Sequence, residues 1–364
     1  MKASGKEGTW AQLGLFSGMV CVGSVAGAVA WAVNIPSNDL IYEANSLAIT
    51  RRQSYTLAAA SFRSTFVFLI LYGLEFFCLI ISKLMLLGRL AASAVDSSQV
   101  NVAGMSGVRR RWLSGRTLPI VYRVMAGAVV VGSVVGLVAS CVAGVYYAQQ
   151  ANLNDEVAGA CDAAGNDTNS SLFLLNAVID LHTKAYTARS VEASSEALTL
   201  LIVTIAFVVI VSWSLAIFRI AESVAANAIL SMADRSHNAA SELNVAMFVG
   251  DTMKAAADNR RRLTVACVIV LVTFPARAAF DLLNAYSTFQ DPYNPACGVC
   301  DPCQPDRYLI RQWLNYTPEF QSIVVAVSSP LPLTLSLWLI TKAHARAQLI
   351  STNAHHQAAV GNRV

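Results

Sequence analysis

Three ionisable residues stand inside apolar runs, where charge is costly, and their spacing sets the chemistry open to this chain. Glu75 lies in Leu71-Tyr72-Gly73-Leu74-Glu75-Phe76-Phe77, and Arg277 and Asp281 lie four residues apart in a later run. A charge at the centre of a bilayer costs about 2.5–3.5 kcal/mol on insertion scales and turns toward protein or water rather than lipid. Residues at i and i+4 share a helix face, so Arg277 and Asp281 belong to one side of their helix. At about 1.5 Å of rise per residue, Glu75 and Arg277 reach similar depths near the midplane. The spacing predicts a Glu75–Arg277 pair with Asp281 as a second acceptor and Tyr72 in the same polar site. That trio suits an ion or proton path or a polar ligand site, or else an ion pair that fixes helix register.

Prolines and cysteines add two more groups. Pro275 precedes Arg277, and Ser328-Ser329-Pro330-Leu331-Pro332 interrupts the last apolar run. Each Pro frees a backbone carbonyl, and at membrane depth such a carbonyl is tolerated only in protein or beside a water-filled cavity. Pro330 and Pro332 are expected either to line a site opposite Glu75 or to mark a packing kink. The run Cys297-x-x-Cys300-x-x-Cys303 has spacing that suits a metal or an iron–sulfur cluster. No fourth Cys follows at the ferredoxin position and no His is near, so neither metal nor cofactor is expected. Together with Cys161 the count closes as two disulfides, for which four cysteines allow three pairings.

The elements that must position these residues are helices in a membrane. Of 364 residues, 55% are hydrophobic and 13% charged, against about 25% charged in an average soluble domain. A spanning helix needs about 20 apolar residues, and six runs qualify, at about 10–33, 64–88, 119–148, 197–218, 263–287 and 321–341. The expected fold is all-α: a polytopic membrane protein with a six-transmembrane-helix bundle under a disulfide-tied extracytoplasmic loop cap. One membrane domain occupies 1–343, and 344–364 form a partly disordered tail. The first run, of about 23 residues after Lys2 and Lys6, exceeds the 7–15 of a signal-peptide core and reads as an uncleaved anchor. Residues 171–196, with no Gly or Pro, read as a helix projecting outside the membrane into the fourth span. Residues 219–262 read as inner extensions of spans four and five. Small residues at four-residue intervals, Gly132, Gly136, Ser140 and Gly144, with Gly14, Gly18, Gly23 and Gly27 in the first run, permit close helix approach and predict that spans one and three are central.

Charge placement orients the bundle. One alternate set of gaps holds about 16 Lys and Arg, including Arg109–Arg111 and Arg260–Arg262, whereas the other holds about 6 with about 13 acids; the basic side faces the cytoplasm. Both termini are therefore expected in the cytoplasm, in the plasma membrane or a secretory-pathway membrane. Sequons at Asn166, Asn169 and Asn315 mark N-glycosylation sites in outer loops, and Cys161, Cys297, Cys300 and Cys303 fall on the same, oxidising side.

These features exclude several functions. There is no Gly-x-x-x-x-Gly-Lys loop, His-Glu-x-x-His or Gly-x-Ser-x-Gly, so the chain is not expected to be an enzyme. No run carries a central Lys for a retinal Schiff base. The basic clusters are explained by orientation and meet anionic lipid headgroups, so nucleic acid is not an expected partner. The leading expectation is a non-enzymatic receptor-like or scaffold protein in the lipid bilayer, meeting a protein partner at its outer cap. The alternative is an ion channel or transporter using Glu75, Arg277, Asp281 and the Pro330–Pro332 kink. A proton relay needs several acids along one path, and the first, third, fourth and sixth runs contain no central acid; that weighs against transport.

Overall fold

The computed structural model of this chain describes residues 4–44, 51–101, 117–163, 168–233, 239–289 and 334–335. Among them are five long helices and no strand: α1 (Ser4–Ala44), α2 (Arg51–Asn101), α3 (Thr117–Ala163), α4 (Thr168–Ala233) and α5 (Ala239–Phe289). Each contains a segment long and apolar enough to cross a membrane, namely Gly14–Ile41, Arg52–Arg89, Ile120–Gly159, Asn176–Trp213 and Arg260–Tyr286. Helices satisfy every backbone group internally, which is what hydrocarbon demands. The described chain thus has the organisation of a multi-pass membrane protein. The sixth expected span, 321–341, lies outside the described residues apart from 334 and 335, as does most of the expected cap.

Helix α3 shows how the sequence selects its faces. Val124, Val131, Val135, Val138, Val142 and Val145 recur at helical spacing and are exposed. Val129, Ser133, Ser140, Ala143, Tyr147, Ala151 and Asn154 form the buried stripe. The lipid-facing side is branched and apolar and the inner side small and polar, because lipid tails give no hydrophobic drive for helix association and close packing must supply it. The small residues differ in use. A Cβ at Gly144 would meet Phe66 at 3.2 Å, one at Gly136 would meet Ser195 Oγ at 2.8 Å, and one at Gly23 would meet Cys78 Cβ at 3.1 Å, whereas Gly14 and Gly18 have nothing within 4 Å. The helix most buried along its apolar window is α4, at 56%, against 39% for α1 and 33% for α3. The expectation that spans one and three are central is corrected accordingly: a small-residue pattern shows that close approach is possible, not that a neighbour is there.

The described chain divides into two compact units. One draws on Met1–Ser82, Ala128–Leu201 and Phe274–Pro330, the other on Lys83–Gly127, Ile202–Thr273 and Leu331–Val364. In the second, Tyr122 donates to the Leu84 carbonyl at 3.1 Å and its ring lies where a Cβ at Gly88 would stand. In the first, Ser37 and Ser61 each donate to the other's carbonyl, at 2.9 and 2.8 Å, holding α1 to α2. The core of that unit is aromatic: Trp31, Phe68 and Tyr147 are buried with Ala30, Leu69, Ala143 and Ala185. Trp31 meets Phe68 edge-on at 5.4 Å and Tyr72 at 6.3 Å between ring centroids, and such pairs contribute about 0.5–1.5 kcal/mol beyond area burial. Every ionisable residue of the candidate site lies in this unit.

Candidate functional site

The site is assembled from α2, α4 and α5. On α5, Arg277 and Asp281 stand one turn apart, 3% and 1% exposed, with Nε 3.1 Å from Oδ1 and donating to Oδ2 at 3.2 Å. Pro275 lies within the same continuous helix. On α2, the Tyr72 hydroxyl accepts a hydrogen bond from Arg277 Nη2 and donates to Glu196 Oε2 at 3.1 Å. Glu196, on α4, approaches the guanidinium to 3.8 Å. The guanidinium carbon lies 5.4 Å from the Tyr72 ring centroid and 6.0 Å from that of Phe280, distances at which aromatic faces attract a cation. One cation is thus held by two carboxylates, a phenol and two rings.

One turn back along α4, Glu192 is equally buried. Its Oε1 lies 2.7 Å from Ser140 Oγ on α3, and the same hydroxyl lies 2.7 Å from the Leu69 carbonyl on α2. Arg189, a further turn back, carries its guanidinium over the Phe68 ring at 5.8 Å. A small cavity of about 20 Å³ opens among Trp31, Phe68, Tyr72, Arg189, Glu192 and Glu196, and a cavity above roughly 10–15 Å³ admits a water molecule. Two residues that line it carry buried polar atoms without a protein partner, Trp31 Nε1 and Glu192 Oε2.

The placement of the expected residues can now be stated. Tyr72, Arg277 and Asp281 converge. Glu75 is buried on α2 with its carboxylate against α1, where a Cβ on Gly27 would lie 2.6 and 2.7 Å from its two oxygens. Asp281, Tyr72 and Glu196 contact the guanidinium, and the charge of Glu75 reaches it as well. Pro330, Pro332, Cys297, Cys300, Cys303, Asn166 and Asn315 lie outside the described residues; Cys161 and Asn169 lie on described helix backbone. Among the described residues the cysteines Cys21, Cys78, Cys141 and Cys267 are free.

Glu192 and Glu196 are the site residues that sequence reasoning did not single out. The sequence reads 171–196 as a helix that leads into the fourth span, and these residues do run on in α4 without a break; the apolar segment of α4, Asn176–Trp213, includes both acids. Two buried acids thus stand on α4 just before the fourth apolar run. The available signal was Arg189-x-x-Glu192-x-x-x-Glu196, three charges on one helix face running directly into an apolar stretch. A hydropathy window that stops at the first charge cuts such a helix short. Comparison with protein-family models, curated proteins and solved structures gives no match.

Proposed function

We propose that this chain is a non-enzymatic transport protein that carries protons, or a small cation, through the cluster of Glu192, Glu196, Tyr72, Arg277 and Asp281. The observation that carries the reading is a surplus of buried acid. In this unit Glu192, Glu196 and Asp281 are buried around one buried base, Arg277, with Arg189 half-buried beside them. An interior of low dielectric does not hold uncompensated carboxylates; it takes up protons or a counter-cation instead. A site that must bind positive charge to stay neutral, beside a cavity of water size, has what a carrier step needs. Expressed from the sequence alone, transport came second to a receptor-like or scaffold role, chiefly for want of several acids on one path, and Glu192 and Glu196 remove that objection.

The receptor-like reading keeps one argument, helix length. The 66 residues of α4 correspond to about 99 Å at 1.5 Å per residue, far more than the roughly 30 Å hydrocarbon core needs. Extensions of that size suit a relay or assembly surface. Either reading retains a sixth span at 321–341, a cap tied by Cys161, Cys297, Cys300 and Cys303, both termini in the cytoplasm, and lipid contact at Arg109–Arg111 and Arg260–Arg262. Arg260 and Arg261 are exposed where the α5 apolar segment begins, the position a headgroup contact requires.

The test is proton and tracer-cation flux through purified full-length protein in liposomes, comparing wild type with Glu196→Gln. Transport requires flux in the wild type and its loss, altered selectivity or shifted pH dependence in a folded variant. A wild type silent across a broad ion and pH screen leaves the receptor-like reading in place.

A further inference from the structure

The hydroxyl of Ser140 has one proton and two neighbours that ask for it. Its Oγ stands 2.7 Å from Leu69 O and 2.7 Å from Glu192 Oε1. The Leu69 carbonyl can only accept. An ionised carboxylate can also only accept, so with Glu192 charged one of the two contacts would set oxygen against oxygen with no hydrogen between them. A protonated Glu192 resolves this. Its O–H donates from Oε1 to Ser140 Oγ, and Ser140 passes its own proton to Leu69 O. Both short contacts are then hydrogen bonds, and they lace α4 to α3 and α3 to α2.

Glu192 also lines the cavity. Glu192 Oε2 is buried without a protein partner and so is Trp31 Nε1, and both residues line the same space of about 20 Å³. An indole N–H only donates, and Oε2 of the protonated acid only accepts. The species that satisfies both must accept one hydrogen bond, donate another and fit a water-sized hole, which describes water. A bare alkali or divalent ion fails: it cannot accept from the indole, and it would stand beside Arg189 in the same lining. Among the described residues no three His, Cys, Asp or Glu side chains converge as metal ligands.

We propose that Glu192 is the proton-carrying group of this site, resident as a neutral carboxylic acid and served by one water held between it and Trp31. The assignment rests on the transport reading and narrows its ligand from any small cation to the proton. Charge reaches Glu192 from every neighbouring element that bears any: Arg189 and Glu196 on its own helix, Tyr72 and Glu75 on α2, Arg277 and Asp281 on α5. Trp31 on α1 and Ser140 on α3 contribute dipoles only. To release its proton Glu192 must first turn its carboxyl group so that the O–H leaves Ser140 and points at the cavity water; the proton then passes to that water, which becomes hydronium, and the carboxylate remains. Ser140 must then choose between Glu192 and Leu69, so proton release loosens one of the bonds that tie α3 to its neighbours. Uptake reverses each step, with the proton returning to Oε1 and the hydroxyl to Leu69.

The experiment is infrared spectroscopy of the full-length chain in nanodiscs of neutral lipid, following the stretch of protonated carboxyl groups at neutral pH. The expected result is a protonated-carboxyl band in the wild type that disappears in Glu192→Gln and shifts in Trp31→Phe. Glutamine keeps the donor to Ser140 as an amide N–H, so this variant is expected to fold as the wild type does. Ser140→Ala is the second probe: the band should persist but shift, because the acid loses its acceptor. A wild type with no such band, or a band unchanged in Glu192→Gln, overturns the assignment. The two readings fail separately. A Glu192 band without flux removes transport and leaves the resident acid, while flux without the band leaves transport and removes Glu192 as its carrier.

Discussion

Replacing Arg277 by Met removes the cation and keeps the bulk, which makes it the sharpest probe of the cluster. With a dielectric of about 20, 332/(εr) gives gross attractions of about 5 kcal/mol for Asp281 at 3.1 Å and about 4 kcal/mol for Glu196 at 3.8 Å. Distance alone hardly separates the two. Geometry does, because Asp281 also receives a hydrogen bond from Nε at 3.2 Å, whereas Glu196 is bound through the Tyr72 hydroxyl. Desolvation takes back most of the gross attraction, but breaking a buried pair by deleting one partner still costs about 3–5 kcal/mol. Equilibrium unfolding in mixed micelles should therefore show the unfolding constant raised by about two to four orders of magnitude. Double-mutant cycles with Asp281→Asn, Glu196→Gln and Glu75→Gln then rank the partners, with coupling inside a network of about 0.5–3 kcal/mol. Asp281 should couple most strongly and Glu196 less. An Arg277→Met protein within 1 kcal/mol of wild type refutes the reasoning; a Glu75 coupling larger than that of Asp281 refutes the ranking and makes Glu75 the principal partner.

Two further substitutions test the packing around the acids. In Gly27→Ala the new methyl must displace the Glu75 carboxylate, whose oxygens stand 2.6 and 2.7 Å from its position, and a loss of about 1–3 kcal/mol is expected, as for other overpacked interiors; Gly14→Ala, with nothing within 4 Å, should be neutral in the same unfolding assay. Ser140→Ala deletes both hydrogen bonds that join Leu69 and Glu192, with an expected cost of about 1–3 kcal/mol, and equal melting of variant and wild type would show that neither bond contributes.

What the sequence made legible was whatever depends on period and composition. The Gly132–Gly144 stripe of α3 is readable because four residues nearly close a helical turn, and all four of its members do meet neighbours in the unit described, Gly132 against Thr199, Gly136 against Ser195, Ser140 against Leu69 and Glu192, and Gly144 against Phe66. Gly14 and Gly18 obey the same rule and meet nothing, since a stripe records permission to pack and not the partner. The Arg277–Asp281 pair was readable because both members sit on one helix four residues apart. Glu196 was not, because its partner Tyr72 is 124 residues away, a separation no local window spans. Its charge also read as a reason to end the membrane segment at 197. Charge ends a span only when it has no partner, and here the partners come from α2 and α5.

That same dependence on partners governs how the cluster must be probed. Glu192 and Glu196 are one turn apart on α4, and both feel Arg277 and Asp281 on α5. Groups so placed lose their protons in steps that belong to the set rather than to either residue. A single Gln substitution therefore changes the charge that its neighbour experiences as well as removing a carboxyl. If Glu192 carries the proton and Glu196 sets the field around Arg277, Glu192→Gln should abolish exchange, while Glu196→Gln should move its pH dependence and leave the protonated-carboxyl band in place. The double variant should then match Glu192→Gln alone, because a field has nothing to act on once the carrier is gone.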